Sequence, residues 1–184
     1  QCVTSAADQA SQFADIFVEF CREQRAAWGA VHVECTDGNH GRKSKTASER
    51  DNFDGVCYDL IKRLLKNDDG IYVGYDANYA FIRVTNVRGH GILQSHGHFI
   101  RSATLGVPIY GLNRRIALWR SSVDIPKFDT AAFGHFHSLA NWEQNDVLCF
   151  LGGTMITSDP YPLETLGYSS STKWWIWRVS NRRK

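Results

Sequence analysis

The sequence has no Cys-x-x-Cys pair, no long apolar run and no marked excess of charge of either sign. Its five cysteines, Cys2, Cys21, Cys35, Cys57 and Cys149, are odd in number and scattered. That argues against a disulfide framework and for a reducing compartment. No stretch reaches the roughly 18 apolar residues a membrane span needs, so a soluble protein without a membrane partner is expected. The opening Gln1-Cys2-Val3-Thr4-Ser5 lacks a basic region followed by an apolar one, so no secretory signal is expected. An initiator Met is also missing, and the natural chain is expected to begin earlier. A net charge of +2 is too small to imply a nucleic-acid partner by itself. There is no internal repeat and no low-complexity linker, so 184 residues read as one continuous domain with a genuine core.

What is present is concentrated. Five of the seven histidines lie in three short stretches: Asp37-Gly38-Asn39-His40-Gly41-Arg42, Ser95-His96-Gly97-His98 and Gly134-His135-Phe136-His137. Two imidazoles one residue apart in extended backbone point to the same face, and imidazole suits first-row metal ions. Gly134 permits the tight backbone that would aim both rings inward. Asn39 and His40 are also ordinary turn residues, but they follow a strand-like stretch, as do His96 and His98. His32, inside a strand, and His90, between glycines, read as structural. Basic residues gather in Arg114, Arg115 and Arg120 and again in Arg178, Arg182, Arg183 and Lys184. Such clusters are usually a solvated face.

Hydrophobic spacing organises the rest. Phe13, Ile16, Phe17, Phe20 and Cys21 form the apolar stripe of a helix from about Asp8 to Arg25. A strand follows over Ala30 to Glu34. Asp51 or Asn52 caps a second helix running to Leu65, with Val56, Leu60, Ile61, Leu64 and Leu65 inward. Strands are expected at Ile71 to Tyr75, Tyr79 to Val87, Gly91 to Ser95 and Val147 to Leu151, with Phe128 to Phe133 leading into the His-Phe-His stretch. A basic amphipathic helix is expected over Gly111 to Ser121. Thr157 to Thr172 reads as a long loop, and Lys173 to Val179 as a closing aromatic strand. Strands alternating with few helices indicate an α/β protein of packed sheets.

Taken together, Gly38-Asn39-His40, His96-Gly97 and Gly134-His135-Phe136-His137 resemble the motifs of the calcineurin-like metallophosphoesterases, and Leu151-Gly152-Gly153-Thr154 resembles the tail of bacteriophage and bacterial phosphoesterases and DNA-repair exonucleases. The resemblance implies a four-layer sandwich of two mixed β-sheets flanked by helices. It also implies two divalent ions, of manganese, iron or zinc. Asn39, His96 and His135 would hold one ion and His137 the second. His40 would touch the scissile phosphate and assist the leaving group, and Arg42 would neutralise a phosphate oxygen. The substrate would be a phosphate mono- or diester, nucleic acid included, in the cytoplasm of a bacterial or phage-infected cell.

The family's opening Asp-x-His and its bridging Gly-Asp have no counterpart here. The chain is therefore expected to correspond to the C-terminal two-thirds or so of the family fold, as a single domain over residues 1–184 incomplete at its N-terminus. Neutral ligands alone would hold a hard ion weakly, and the activity of this chain alone is expected to be weak or absent. The missing portion would be supplied upstream or by another chain. The alternative is a degenerate, non-catalytic nucleic-acid-binding or interaction module derived from the same family.

Overall fold

The computed structural model of the chain describes residues 4–44, 51–77, 81–101, 107–155 and 172–181. The chain forms two compact units, Gln1–Phe81 and Ile82–Lys184. Together they make an α/β protein with three helices and seven strands among the described residues. None of those helices is long and apolar enough to cross a membrane.

The first unit opens with α1, Ala6–Trp28. Ser5 caps it and closes a capping box with Asp8, and Gly29 (φ 85°) ends it. These are the residue types that satisfy orphan amides at one end and adopt left-handed backbone at the other. Strand β1, Val31–Glu34, leads to α2, Phe53–Leu64, and then β2, Ile71–Gly74. β1 and β2 pair in parallel, Val31 beside Ile71.

The inward face of α1 is not the aromatic stripe. Ala14, Val18 and Cys21 are buried, while Phe13, Ile16 and Phe20 are 43%, 69% and 49% exposed. In α2 the buried set is Cys57 and Ile61, continued by Leu65, and Val56 and Leu64 lie outward. Small residues on the facing turns let the two helices approach closely, and the Cys57 thiol reaches the Ala10 carbonyl at 3.4 Å. The displaced rings pack on one another instead, Phe13 stacking on Phe17 at 5.5 Å.

The second unit is a five-stranded mixed sheet in the order β3-β4-β5-β7-β6. Its strands are β3 (Arg83–Val87), β4 (His90–Ser95), β5 (Thr130–Phe133), β6 (Ala140–Gln144) and β7 (Val147–Leu151), with α3 (Ile109–Ser121) between β4 and β5. The central pairs β4–β5 and β5–β7 are parallel and the edge pairs antiparallel. Both edge pairs are hairpins with left-handed turns, at Arg88-Gly89 and at Asn145-Asp146, as tight two-residue connections require. Leu112, Ile116 and Trp119 put one face of α3 into a core with Leu93, Ala131, Phe133, Cys149 and Leu151.

Three expectations change here. β6 is a strand that hydrophobic alternation does not announce. The stretch Tyr79 to Val87 becomes a strand only from Arg83, and residues 78–80 lie outside the described residues. Lys173 to Val179 is not a strand. It is held by other means: Trp177 stacks on Phe150 at 4.7 Å, and the Trp175 indole donates to the Leu151 carbonyl at 3.0 Å. Aromatic contact and side-chain bonding replace a backbone ladder. The loop Thr157 to Thr172 and the basic group Arg182, Arg183 and Lys184 lie outside the described residues, apart from Thr172.

Burial pushes the Cys149 thiol up to about 12. Burial, and after it the charge of Asp54, raises the Tyr58 phenol well above its ordinary value. Both groups are protonated in the folded chain at pH values where the unfolded chain has begun to lose its protons. The contribution of these two groups to stability is therefore level below about pH 8 and is lost as pH rises above about 9. Denaturant melts across this range test it. Cys149→Ala should lower the plateau and flatten the alkaline fall, and an unchanged slope would contradict the assignment.

Candidate functional site

The candidate residues fall in both units. In the second unit, β4 and β5 run parallel with Ser95 beside Phe133, so the residues that follow each strand emerge at the same edge. There the rings of His96 and His135 meet edge-on at 5.1 Å. His98 joins them, 5.5 Å from His96 and 6.2 Å from His135. Gly134 makes room for this: a Cβ added there would lie 3.3 Å from the His96 ring nitrogen Nδ1. Gly97, at φ 92°, supplies the turn between His96 and His98, with Phe136 packed over it.

The backbone of the His-Phe-His stretch differs from its expected form. His135 and His137 are not extended; both are left-handed, at φ 66° and 51°. A non-glycine residue held so costs roughly 1–2 kcal/mol, and such outliers gather at functional sites. The tight turn is closed by the Phe136 amide bonding the Gly134 carbonyl at 2.7 Å. Phe136 is buried and anchors the loop between its two histidines. Period-two alternation therefore does not operate, and His137 makes no ring contact with the other three histidines among the described residues. His98 takes that place. Its spacing from His96 was visible in the sequence, but nothing there distinguished it as the partner of His135.

In the first unit the Gly38-Asn39-His40 loop follows β1 and is tied to the start of α2. Asn52 caps that helix by accepting from the Asp54 amide at 2.9 Å. The same Asn52 donates to the Gly38 carbonyl at 3.1 Å. The Asp54 carboxylate accepts the Gly38 amide at 2.7 Å, a short charge-assisted bond of the stronger kind. Phe53 donates its amide to the Gly41 carbonyl at 2.8 Å. Beneath the loop, Tyr75 donates to the buried Asp37 at 3.2 Å, and Tyr58 donates to the Thr36 carbonyl at 3.0 Å. His40 is exposed and Asn39 half-buried. Arg42 is half-buried, and its Nε bonds the Asn39 carbonyl at 3.3 Å. Asp54 and Asn52 are thus the positioning residues of this loop. The cap was legible in the sequence; its second role was not.

The structural histidines separate cleanly. His32, itself exposed, pairs with the largely buried Glu34 at 2.8 Å. His90 opens β4 and meets Asp129 at 2.9 Å, at the end of the sheet opposite His96.

Three neutral imidazoles are suitable donors for a first-row ion, and centroid separations of 5.1 to 6.2 Å approach the roughly 5 Å that tetrahedral ligation at a Zn–N distance of ~2.0–2.1 Å gives. Even so, no group of three or more His, Cys, Asp or Glu among the described residues is arranged to hold a metal ion. The residues as they stand do not fit a metal centre.

No family model matches the chain, and no curated protein matches it. Solved structures do. One is a conserved uncharacterized protein, a predicted phosphoesterase, from Streptococcus pneumoniae TIGR4, at 19% identity and a TM-score of 0.39 over 75% of this chain and 66% of that one. Another is wild-type Vps29 from Entamoeba histolytica complexed with zinc, at 20% identity and a TM-score of 0.37 over 71% and 62%. A third is a Thermotoga maritima protein solved in solution by NMR, at 14% identity and a TM-score of 0.38 over 67% and 84%. The chain spans less than two thirds of the length of the first two. Likeness at this level assigns no residue a role. The solved structures that this chain is similar to thus include a predicted phosphoesterase and Vps29.

Proposed function

We propose that the chain is part of a phosphoesterase of the calcineurin-like type, acting on phosphate mono- or diesters. The observation that carries this reading is the meeting of His96, His98 and His135 beyond the C-terminal ends of two adjacent parallel strands, where open α/β sheets bind their ligands. The tethered loop with Asn39, His40 and Arg42, also at a strand's C-terminal end, supports it. On this reading Asn39 in the first unit and His96, His135 and His137 in the second stand at the family's ligand positions. His40, exposed, would hand a proton to the departing oxygen, and Arg42 would face a phosphate oxygen. Because no metal-holding group stands among the described residues, no catalytic step is assigned to an ion.

The test is hydrolysis of a chromogenic phosphodiester with and without added manganese, on this chain and on any longer natural form of it. Metal-dependent turnover is expected, reduced about a hundredfold to ten-thousandfold by His40→Ala and abolished by His96→Ala. Absence of metal-dependent turnover in every form would overturn the proposal.

A second reading is a non-catalytic nucleic-acid-binding module of the same descent. It is favoured by the histidines' failure to form a metal-holding group. It expects no turnover and salt-sensitive DNA binding that weakens when Arg182, Arg183 and Lys184 are replaced.

A further inference from the structure

The outer face of α3 and the residues just after His98 enclose a groove of about 520 Å³ lined by Ile100, Arg101, Tyr110, Arg114, Arg115 and Leu118, with Gly111 at its floor. Three of its side chains are guanidinium groups, and among the described residues no carboxylate lines it. Arginine stays charged at any pH the fold survives, so the groove holds concentrated positive charge without a counter-charge in its wall. Unlike a merely solvated basic face, it also has built parts. The Arg115 guanidinium lies over the Phe99 and Trp119 rings at 5.5 and 5.9 Å, a cation–π contact that ties it to the wall of the groove. Tyr110 is 80% exposed and Leu118 54% exposed, offering a ring and an apolar ledge beside the charges.

We propose that this groove binds a short segment of single-stranded nucleic acid, with Arg101, Arg114 and Arg115 on successive phosphates and a base stacked on Tyr110. Guanidinium groups match phosphate oxygens in fork geometry, and a cationic groove with an exposed aromatic is how proteins bind single strands without reading sequence. The volume lies within the roughly 300–1,000 Å³ of small-ligand sites, room for a nucleotide unit with its neighbours projecting outward. The groove leads toward the imidazole cluster: the His98 ring touches Phe99 at 5.4 Å, and Phe99 touches Trp119 at 6.1 Å. That the bound strand is also a substrate rests on the phosphoesterase reading. Binding itself does not.

The experiment is fluorescence anisotropy of a labelled short oligothymidylate over a range of salt, in EDTA so that turnover plays no part. Three phosphate contacts predict a slope of log affinity against log salt of about −2. The double variant Arg101→Ala/Arg114→Ala should reduce it to about −0.7, and Arg101→Lys/Arg114→Lys should restore it. Tyr110→Ala should weaken binding about fivefold or more without changing the slope. All three sites are exposed, and a thermal melt checks that the fold survives. Wild-type affinity and slope in the alanine variants would overturn the proposal. So would loss confined to a variant lacking Arg182, Arg183 and Lys184. Thymidine monophosphate competing as well as the strand would also overturn it, in favour of a free-nucleotide site. A binding result of either sign leaves the phosphodiester assay to decide catalysis separately.

Discussion

Replacing Leu93 with alanine is expected to lower stability by about 3–5 kcal/mol. Leu93 is fully buried on β4, with Val84 beside it on one flank and Ala131 on the other. Residues on both faces of β4 are buried, Ile92 and Leu93 in sequence, so the space left by the lost side chain opens inside the core rather than at its rim. Its parallel neighbour is an alanine, too small to fill that space. The cost therefore falls at the upper part of the range for cavities that cannot collapse. Leu93→Met, close in volume, should cost less than about 1.5 kcal/mol. Guanidinium or urea unfolding gives both values. A cost for Leu93→Ala below that of Leu93→Met would contradict the packing described. Because β4 runs directly into His96, the alanine variant should also loosen the His96–His135 contact, visible as altered imidazole proton resonances.

Gly41→Ala is expected to cost about 2–4 kcal/mol on the scales of a lost N-cap and a lost charged hydrogen bond. A methyl group there would fall 2.1 Å from Asn52 Oδ1 and 2.3 Å from Asp54 Oδ1. Side-chain ends usually move aside cheaply, but these two are committed. Asn52 caps α2 and holds the Gly38 carbonyl, while Asp54 holds the Gly38 amide. Making room breaks the cap and unties the loop carrying Asn39 and His40. The comparison is Gly29→Ala, where φ is 85° but the surrounding space is open, so that only backbone strain of roughly 1–2 kcal/mol applies. Thermal melts of the two variants, with hydrogen exchange at the Gly38 amide, distinguish the cases. Equal costs and unchanged exchange would show that the loop is not held by α2.

The sequence disclosed the elements better than their faces. α1 was evident from its apolar periodicity; of the stripe, Cys21 and the half-buried Phe17 face the core while Phe13, Ile16 and Phe20 lie outward, because Ala14 and Val18 permit closer packing than rings would. Asn52 announced the start of α2, and the short strands before each histidine cluster stand where alternation put them. β6 escaped notice because an edge strand reading Ala-Asn-Trp-Glu-Gln turns only Ala140 and Trp142 toward the core, too short an alternation to stand out. Its signal was the Asn145-Asp146 pair, a turn dipeptide whose left-handed backbone closes the hairpin with β7. Within the candidate site, the His135/His137 spacing was plain but its geometry was not, since left-handed backbone at two non-glycine residues follows from the loop closing around Phe136. Asp129, the partner of His90, and Asp54, the tether of Gly38, are distant in sequence from what they hold. Local pattern has no access to such pairings.

The sheet order also has a bearing on how this chain acquires its histidine cluster. The pairs β3–β4 and β6–β7 join neighbours along the chain and close over short turns. β5 pairs only with strands remote in the direction of β4 and separated by β6 in the direction of β7. Joining it to β4 brings Ile92 to Thr130 and spends the entropy of ordering the whole intervening crossover, a toll on non-local topology that hairpins escape. The three imidazoles are consequently a property of the finished sheet: a nascent chain that has not reached Thr130 carries His96 and His98 without the third member.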